Sequence, residues 1–282
     1  MASTSRAGQP PDPADPADPA TSLAGWSLPL SPDGRAALVP PPPWHFSGDA
    51  IGIDFRGDPA AMAAVLPRGL EAAGDGSASF VFCDWSSSAD NDSRLADDPA
   101  RGQYKEAYVA VHARLDGVSV ARVPYIWVDS DLSLARGHLQ GFPKKLGTVH
   151  ITRAVSVGRG GPHVEAGATF AGHVSSLGRQ LARASVTLRD PADPGFIPKA
   201  MRLPVWHTRL VPDLAGGEPL VRDLARNIST DFAVAQVWTG PGELEFYDSE
   251  FEELASLRPV EIVGAFRCSV AFTIVGAEVR PA

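Results

Sequence analysis

Alternation of apolar and polar residues constrains the fold of this chain more than any other feature of its sequence. The clearest run is residues 51–56, in which Ile51, Ile53 and Phe55 alternate with Gly52, Asp54 and Arg56. A period of two predicts a strand with one buried face. Residues 104–115 alternate in the same way. Further strand-like runs occupy residues 79–85, 118–128, 148–157, 164–170, 180–188, 203–210, 231–237 and 260–279.

Helical patterns are few and short by comparison. They cover residues 60–66, 129–136 and 249–256. Many short strands without regular strand–helix alternation argue against a parallel α/β fold. We therefore predict a mainly β (α+β) protein whose antiparallel sheet closes on itself, with a few helices at its periphery.

The first residues differ in composition from the rest of the chain. The Asp-Pro-Ala repeat at residues 9–19 contains no aromatic or β-branched residue that could be buried. Such composition is typical of disorder. The 282 residues, 44% of them hydrophobic and 21% charged, suit a globular chain with one large β-rich domain. We predict a disordered tail over residues 1–25 and a single domain over residues 26–282.

Charge and cysteine content limit the partners and the compartment. A formal net charge of −8 argues against nucleic acid or an anionic membrane as partner. No signal-peptide pattern and no apolar run of membrane-spanning length is visible. Cys83 and Cys268 lie far apart without a CxxC pattern, which favours unpaired thiols in a reduced compartment. We expect a cytoplasmic protein.

Two adjacent lysines, Lys144 and Lys145, follow a proline between apolar neighbours. Only four of the 25 basic residues are lysines. An arginine cannot lose its proton and attack a carbonyl carbon, whereas a lysine can once burial lowers its pKa. Taken alone, the pair is more simply interpreted as a solvated basic pair at the start of a strand. In an extended strand the two side chains would point to opposite faces.

That geometry would make Lys145 a weak pKa-perturbing neighbour of Lys144. The apolar residues around the pair would then perturb the pKa more strongly, through burial. These residues are Leu139, Phe142 and Leu146.

A second candidate group lies on residues 104–112. Tyr104, Glu106, Tyr108, Ala110 and His112 share one face of this predicted strand. A carboxylate between two tyrosines is a candidate buried acid. A solvent-facing polar stripe is equally consistent with the pattern, because tyrosines occur on either face.

The motif Gly-Phe-Pro-Lys-Lys-Leu-Gly at residues 141–147 resembles the signature of the acetoacetate decarboxylase-like superfamily. Blocks at residues 41–46, 55–71, 104–106 and 237–241 resemble that superfamily in the same order, so the resemblance covers residues 38–280. It implies a cone-shaped antiparallel β-barrel that encloses a small pocket, in a homo-oligomer of four or more subunits. It also implies that Lys144 forms a Schiff base, with Glu106 and Tyr104 as further catalytic residues.

The chain departs from the decarboxylases at several polar positions. Those enzymes place an arginine where this chain has Ser47, Gly48 and Asp49, and a second glutamate on the strand at residues 79–85. An aspartate in place of the arginine would repel a substrate carboxylate. The Gly-Arg-Glu segment before the lysines is replaced by residues 136–138, Arg-Gly-His.

The block at residues 140–145, together with Tyr104 and Glu106, is similar to a branch from natural-product bacteria that acts on 2-oxo acids. That branch is associated with aldol condensation, dehydration or cyclisation. It also uses a tyrosine on the last strand, where this chain has Phe272, which cannot relay a proton. The resemblance implies that substrate contacts come from Gln140, Phe142, Trp238 and Phe272.

No metal or cofactor is expected, because the seven histidines show no metal-ligand spacing. Three functions remain open at this point. The first is a lysine Schiff-base lyase that performs aldol condensation, dehydration or cyclisation on a small 2-oxo acid in secondary metabolism. The second is a β-keto acid decarboxylase, and the third is a non-catalytic barrel that binds a small molecule.

Overall fold

The computed structural model describes residues 23–193 and 195–281. The described residues divide into two compact units, one ending at residue 40 and the other beginning at residue 41. In the described part of the first unit, Ala24 and Ser31 form an isolated antiparallel bridge. Ser27 Oγ accepts a hydrogen bond from the backbone N–H of Val39 at 2.8 Å. Most of the predicted disordered tail, residues 1–22, lies outside the described residues.

The second unit is built mainly of strands, as the alternating pattern predicts. The strands are β1 (Trp44–Arg56), β2 (Glu71–Ala72), β3 (Ser77–Ala89), β4 (Gln103–Leu115), β5 (Val118–Val128), β6 (Lys144–Leu146), β7 (Thr148–Ile151), β8 (Thr169–Ser176), β9 (Arg179–Thr187), β10 (Asp190–Pro191), β11 (His207–Val211), β12 (Val221–Gly240), β13 (Gly242–Phe246) and β14 (Glu261–Pro281). The prediction of a mainly β protein with few helices is confirmed.

The helices are short. They are α1 (Pro59–Ala64), α2 (Arg94–Asp97), α3 (Pro99–Gly102), α4 (Asp131–Gln140), α5 (Lys199–Arg202) and a 3-10 turn at Leu254–Leu257. In the described part of the chain, no helix is both long and apolar enough to cross a membrane. The helix predicted at residues 249–256 is wrong, because only the 3-10 turn forms there. The strand predicted at residues 148–157 ends at residue 151, where the chain turns into a loop in which Val155 N–H bonds to Pro162 O at 2.9 Å.

Hydrogen bonds connect these strands into two sheets. The larger sheet has the order β10-β12-β14-β1-β3-β4-β5-β6, with β11 paired to β12 and β2 paired to β4. Its pairs are antiparallel except β5–β6, which is parallel. The smaller sheet has the order β13-β9-β8-β7.

The predicted closure of the large sheet is not found as a continuous ladder among the described residues. The path has β10 at one end and β6 at the other. It comes nearest to closing where Ala121 of β5 forms an isolated parallel bridge with Val205, just before β11. Ala121 N–H bonds to Pro204 O at 2.8 Å, and Trp206 N–H bonds to Ala121 O at 2.9 Å. Between β5 and the segment that precedes β11, the contact is therefore a single bridge rather than a ladder.

Strand alternation separates two faces of the large sheet. Phe80 and Phe82 of β3 belong to the main hydrophobic core together with Phe170 of β8. Trp85 of β3 lies on the opposite face and lines a cavity. Gly48, its register partner on β1, makes room for the indole, because a Cβ at Gly48 would lie 2.7 Å from Trp85 Cε3.

Candidate active site

A helix, a tight turn and a short strand position Lys144 within the second unit. Helix α4 is capped by Ser130, whose Oγ accepts from Ser133 N–H at 3.3 Å, and ends at Gly141 with φ of 94°. This left-handed conformation is the usual helix stop and favours glycine. β6 then pairs in parallel with β5, with Lys144 beside Ile126. His138 Nε2 lies 2.8 Å from Lys144 O and steadies the turn.

Lys144 is buried, with 7% of its surface exposed. Its Nζ donates to Glu106 Oε2 at 2.6 Å and to Ser133 Oγ at 3.0 Å. Glu106 is equally buried, and Ser133 is completely buried. The aliphatic part of Lys144 crosses helix α4 at Gly137, where any Cβ would lie within 2.8 Å of Lys144 Cγ and Cε. Glycine at this position lets the amine reach Glu106.

Burial is the largest cause of a lowered pKa at Lys144. The negative charge and hydrogen bond of Glu106 raise that pKa, and the positive charge of Arg136 lowers it. The net direction is downward. A lower pKa increases the fraction of neutral, nucleophilic amine near neutral pH.

Arg136 is a buried cation that the sequence analysis did not select. It is 1% exposed, and its Cζ lies 4.5 Å from the ring centroid of Phe46 and 5.8 Å from that of Tyr104. Its Nη2 donates to Ser87 Oγ at 3.4 Å, and no carboxylate of the described residues lies within ion-pair distance. Buried charges are usually paired, so this guanidinium can receive an anion.

A helical period could have revealed Arg136. The buried residues of α4 recur at intervals of three and four. They are Leu132, Ser133, Arg136, Gly137 and Gln140. Three of the five are polar, so this helix buries a polar face. A buried polar face indicates a functional site rather than hydrophobic packing alone.

Lys145 lies away from the site, which corrects the expectation that it perturbs the pKa of Lys144. Alternation along β6 turns it outward, where half of its side chain is exposed. Its Nζ pairs with Glu252 Oε2 at 2.8 Å, and Trp127 Nε1 donates to Glu252 Oε1 at 3.3 Å. The neighbouring cation whose charge acts on Lys144 is instead Arg136.

Tyr104 lies beside the amine on the same face of β4 as Glu106. Lys144 Nζ is 5.5 Å from its ring centroid. Ser133 and Arg136 lie close enough to its hydroxyl to oppose a rise in its pKa. Burial raises the pKa of Tyr104, and the charge of Glu106 raises it further. The phenol therefore stays protonated and can act only as a neutral hydrogen-bonding group.

A cavity of about 200 Å³ opens beside Glu106. Its lining includes Tyr108, Phe142 and Phe272 as well as Trp85. The ring of Phe142 lies 5.6 Å from Lys144 Nζ, and that of Phe272 stacks on Phe46 at 5.0 Å. Two of the four residues expected to contact substrate, Phe142 and Phe272, are thus at the cavity.

The other two expected contact residues do not line this cavity. Trp238 of β12 lies opposite Arg267 in the backbone register between β12 and β14, and it packs against the main hydrophobic core. The strand register places it there, since the cavity is lined by Val270 and Phe272 of β14. Gln140 is buried at the end of α4, and its Nε2 has no hydrogen-bond partner among the described residues.

Asp49 does not face the cavity either, so the expected repulsion of a carboxylate does not follow. Its Oδ2 pairs with Arg267 Nη2 at 2.7 Å, and its Oδ1 accepts from Ser269 Oγ at 2.6 Å. The alternation along β1 places Gly48 rather than Asp49 beside Trp85.

His207 is a second buried group that the sequence analysis did not select. It is 1% exposed, and its ring centroid lies 3.6 Å from that of Phe142. Burial, followed by the charges of Arg122 and Lys144, lowers its pKa well below the usual value, so the ring is neutral. Among the described residues, no group of three or more His, Cys, Asp or Glu side chains could hold a metal ion.

Comparison with known proteins places this geometry in a family. Residues 27–280 match the family model of acetoacetate decarboxylase (ADC). An acetoacetate decarboxylase of Chromobacterium violaceum is 28% identical over 257 residues, which cover 88% of this chain and 92% of that protein.

Two solved structures are similar over nearly their whole length. One is the enduracididine biosynthesis enzyme MppR complexed with the condensation product of pyruvate and imidazole 4-carboxaldehyde. It is 35% identical with a TM-score of 0.86, covering 93% of this chain and 98% of MppR. The other is an acetoacetate decarboxylase-like enzyme from Sphingomonas wittichii RW1. It is 27% identical with a TM-score of 0.84, and the match covers 91% of this chain and 100% of that enzyme. The chain described here belongs to the acetoacetate decarboxylase family.

Proposed function

We propose that this protein is a lysine Schiff-base lyase that condenses a small 2-oxo acid with a second carbonyl compound, with dehydration or cyclisation of the product. The observation that carries this proposal is the buried Lys144 Nζ, 2.6 Å from Glu106 and beside the buried Arg136, which has no carboxylate partner among the described residues. An amine, a carboxylate and a fixed cation are the groups that such a reaction requires.

The reaction begins at the amine. Neutral Lys144 attacks the ketone carbon of the 2-oxo acid, and loss of water gives an iminium that accepts electrons from a neighbouring bond. Glu106, already within 2.6 Å of Nζ, takes a proton from the adjacent carbon and leaves a nucleophilic enamine. Ser133 Oγ, which accepts from Lys144 Nζ at 3.0 Å, and the protonated hydroxyl of Tyr104 supply further hydrogen-bonding groups beside the amine.

Arg136 supports a 2-oxo acid as the substrate. The carboxylate of a 2-oxo acid is bonded directly to the carbon that becomes the imine, so its receptor must lie next to Nζ. Lys144 Nζ and Arg136 Cζ both lie within 6 Å of the Tyr104 ring centroid, at 5.5 and 5.8 Å. Arginine–carboxylate pairing is strong and often bidentate, which would hold the carboxylate and slow its loss.

The similarity to MppR supports the same reading. Solved structures show that protein complexed with pyruvate and with the condensation product of pyruvate and imidazole 4-carboxaldehyde. At 35% identity over nearly the whole chain, it is more similar in sequence than the Chromobacterium acetoacetate decarboxylase, which is 28% identical.

A second candidate function is decarboxylation of a β-keto acid such as acetoacetate. It is favoured by the family model and by five curated relatives, all of them acetoacetate decarboxylases. In that reaction the iminium accepts the electron pair released with CO2, so Lys144 would serve both functions. A non-catalytic binding protein would use the same cavity without forming an imine.

Reductive trapping separates these functions. The protein is incubated with pyruvate or acetoacetate in the presence of borohydride, and its peptides are mapped by mass. A pyruvate adduct on Lys144 together with an aldol product from pyruvate and an aldehyde supports our proposal. Rapid CO2 release from acetoacetate supports decarboxylation instead, and no adduct with either acid supports a binding protein.

We further propose that the enzyme acts in the cytoplasm on small molecules alone and assembles into a homo-oligomer of at least four subunits. Exposed apolar side chains on the long strand β14 support self-association, among them Val263 at 54% and Val275 at 46% exposure. Sedimentation velocity would test this assembly, and a monomer at micromolar concentration would contradict it.

A further inference from the structure

A second cavity lies directly beside the one that contains Glu106. Its volume is about 370 Å³, and it lies between the segment of residues 197–204 and strand β12. Six residues line both cavities, and we call this shared border the partition. The partition consists of Met201, Leu203, Pro204, Asn227, Ser229 and Phe232.

A bulge in β12 shapes this partition. The register between β12 and β14 shifts between Thr230 and Ala233, so Asp231 and Phe232 leave the ladder. Asp231 has φ of 54°, a left-handed value that is uncommon outside glycine. Bulges redirect side chains and occur often near active sites. Here the bulge places Phe232, an aromatic residue that is 41% exposed, against both cavities.

The outer cavity carries positive charge. Its lining contains two arginines, Arg202 and Arg226, and no carboxylate. Arg226 Nε is paired with Glu278 Oε2 at 2.7 Å. Arg202 makes no ion pair or hydrogen bond with any of the described residues, although its charge, with that of Lys199, acts on the Asp54 carboxylate at longer range. On a chain with a net charge of −8, this is a local site for an anion.

We propose that the outer cavity binds the second substrate of the condensation, a carbonyl compound that carries an anionic group. The anionic group pairs with Arg202, and the carbonyl points across the partition, where Asn227 and Ser229 supply polar contacts from β12. This assignment rests on the proposed function, because a second substrate exists only if Lys144 forms an enamine with the first.

The chemical step balances without any further reactant. The enamine carbon forms a bond to the acceptor carbonyl carbon, and the carbonyl π electrons move to its oxygen. That oxygen takes up the proton that Glu106 removed when the enamine formed. The nitrogen returns to the iminium state, and one water hydrolyses it to release the aldol product, neutral Lys144 and the proton that was taken up when the iminium first formed.

The first test compares two aldehydes of equal chain length with pyruvate as the first substrate. Succinic semialdehyde carries a carboxylate, and butanal does not. We expect a higher kcat/KM for succinic semialdehyde than for butanal. Arg202→Gln should lower the kcat/KM for succinic semialdehyde about tenfold, because a hydrogen bond to a charged group is lost. The kcat/KM for butanal should not change. Arg159→Gln is the matched control, because Arg159 is also exposed and unpaired among the described residues but lies on the distant Gly-rich turn of residues 158–161. It should leave both values unchanged.

A binding measurement makes the test independent of turnover. Borohydride reduction fixes pyruvate on Lys144, and the reduced protein is then titrated with each aldehyde by calorimetry. Tighter binding of succinic semialdehyde than of butanal, lost in Arg202→Gln and retained in Arg159→Gln, supports the subsite. Equal binding of the two aldehydes overturns it.

The remaining outcomes separate this inference from the proposed function. If wild-type protein gives no pyruvate adduct, the proposed function fails and the subsite fails with it. If the adduct forms but Arg202→Gln slows adduct formation by the same factor as condensation, the outer cavity is only an entrance for the keto acid. That result overturns the second-substrate assignment and leaves the proposed function standing.

Discussion

A methyl group added at Gly137 should disable the amine without disturbing the fold. The Cβ of an alanine would lie 2.8 Å from both Cγ and Cε of Lys144 and would also overlap its Cδ. Ordinary carbon–carbon contacts are about 3.5–4.0 Å, so the lysine side chain must move by about 1 Å. The hydrogen bond from Nζ to Glu106 Oε2, now 2.6 Å, would then lengthen beyond the usual limit.

The expected loss of rate follows from that displacement. A misplacement of about 1 Å can cost about 10²-fold in rate, which corresponds to about 2.7 kcal/mol of activation free energy. The stability should not fall, because the flexible lysine chain gives way rather than the backbone. Alanine in a helix is itself more favourable than glycine by about 0.5–1 kcal/mol.

The assay measures how fast the pyruvate adduct forms, by trapping it with borohydride and measuring the intact protein mass. The melting temperature is measured in parallel. We expect Gly137→Ala to form the adduct about 10²-fold more slowly at an unchanged or slightly higher Tm. Gly276→Ala is the control, since a Cβ there meets no atom within 4 Å. Adduct formation at the wild-type rate in Gly137→Ala would refute the argument that this glycine aims Lys144.

Three further substitutions test the roles of the groups around the amine. Lys144→Arg should abolish adduct formation with the fold intact, because guanidinium keeps its proton, and mapping of a wild-type adduct to Lys145 alone would refute the assignment. Glu106→Gln should lower turnover by about 10²–10⁴-fold, and near-full activity would make Glu106 structural. The Glu106 carboxylate raises the pKa of Lys144, so its removal lowers that pKa and extends adduct formation to lower pH. Arg136→Gln should do the opposite, because it removes a charge that lowers the pKa of Lys144, and it should also raise the KM for pyruvate. A shift of both pH profiles in the same direction would contradict this electrostatic account.

Local pattern predicted much of the strand content and the division of faces. Alternation at residues 51–56 and 104–115 corresponds to parts of β1 and β4. The same period of two predicted that Lys144 and Lys145 point to opposite faces, and one is buried while the other is half-exposed. These predictions succeed because the backbone of a strand fixes the direction of each side chain relative to the next. The lysine motif likewise identified the family, which the family model confirms.

Only the tertiary structure decided which faces of the strands and helices pack against one another. The sequence could not show that Asp49 is paired with Arg267, 218 positions away on β14, or that Trp238 packs against the hydrophobic core. The helical period includes Arg136 in one face of α4, but it could not show that this cation lies near Lys144, because that proximity depends on how the helix packs against the strands. Periodicity specifies the direction of a side chain within its own strand or helix. Its partners are set by the register and packing of elements far apart in the chain, and those positions decide whether a charge is solvated, paired or buried next to an amine.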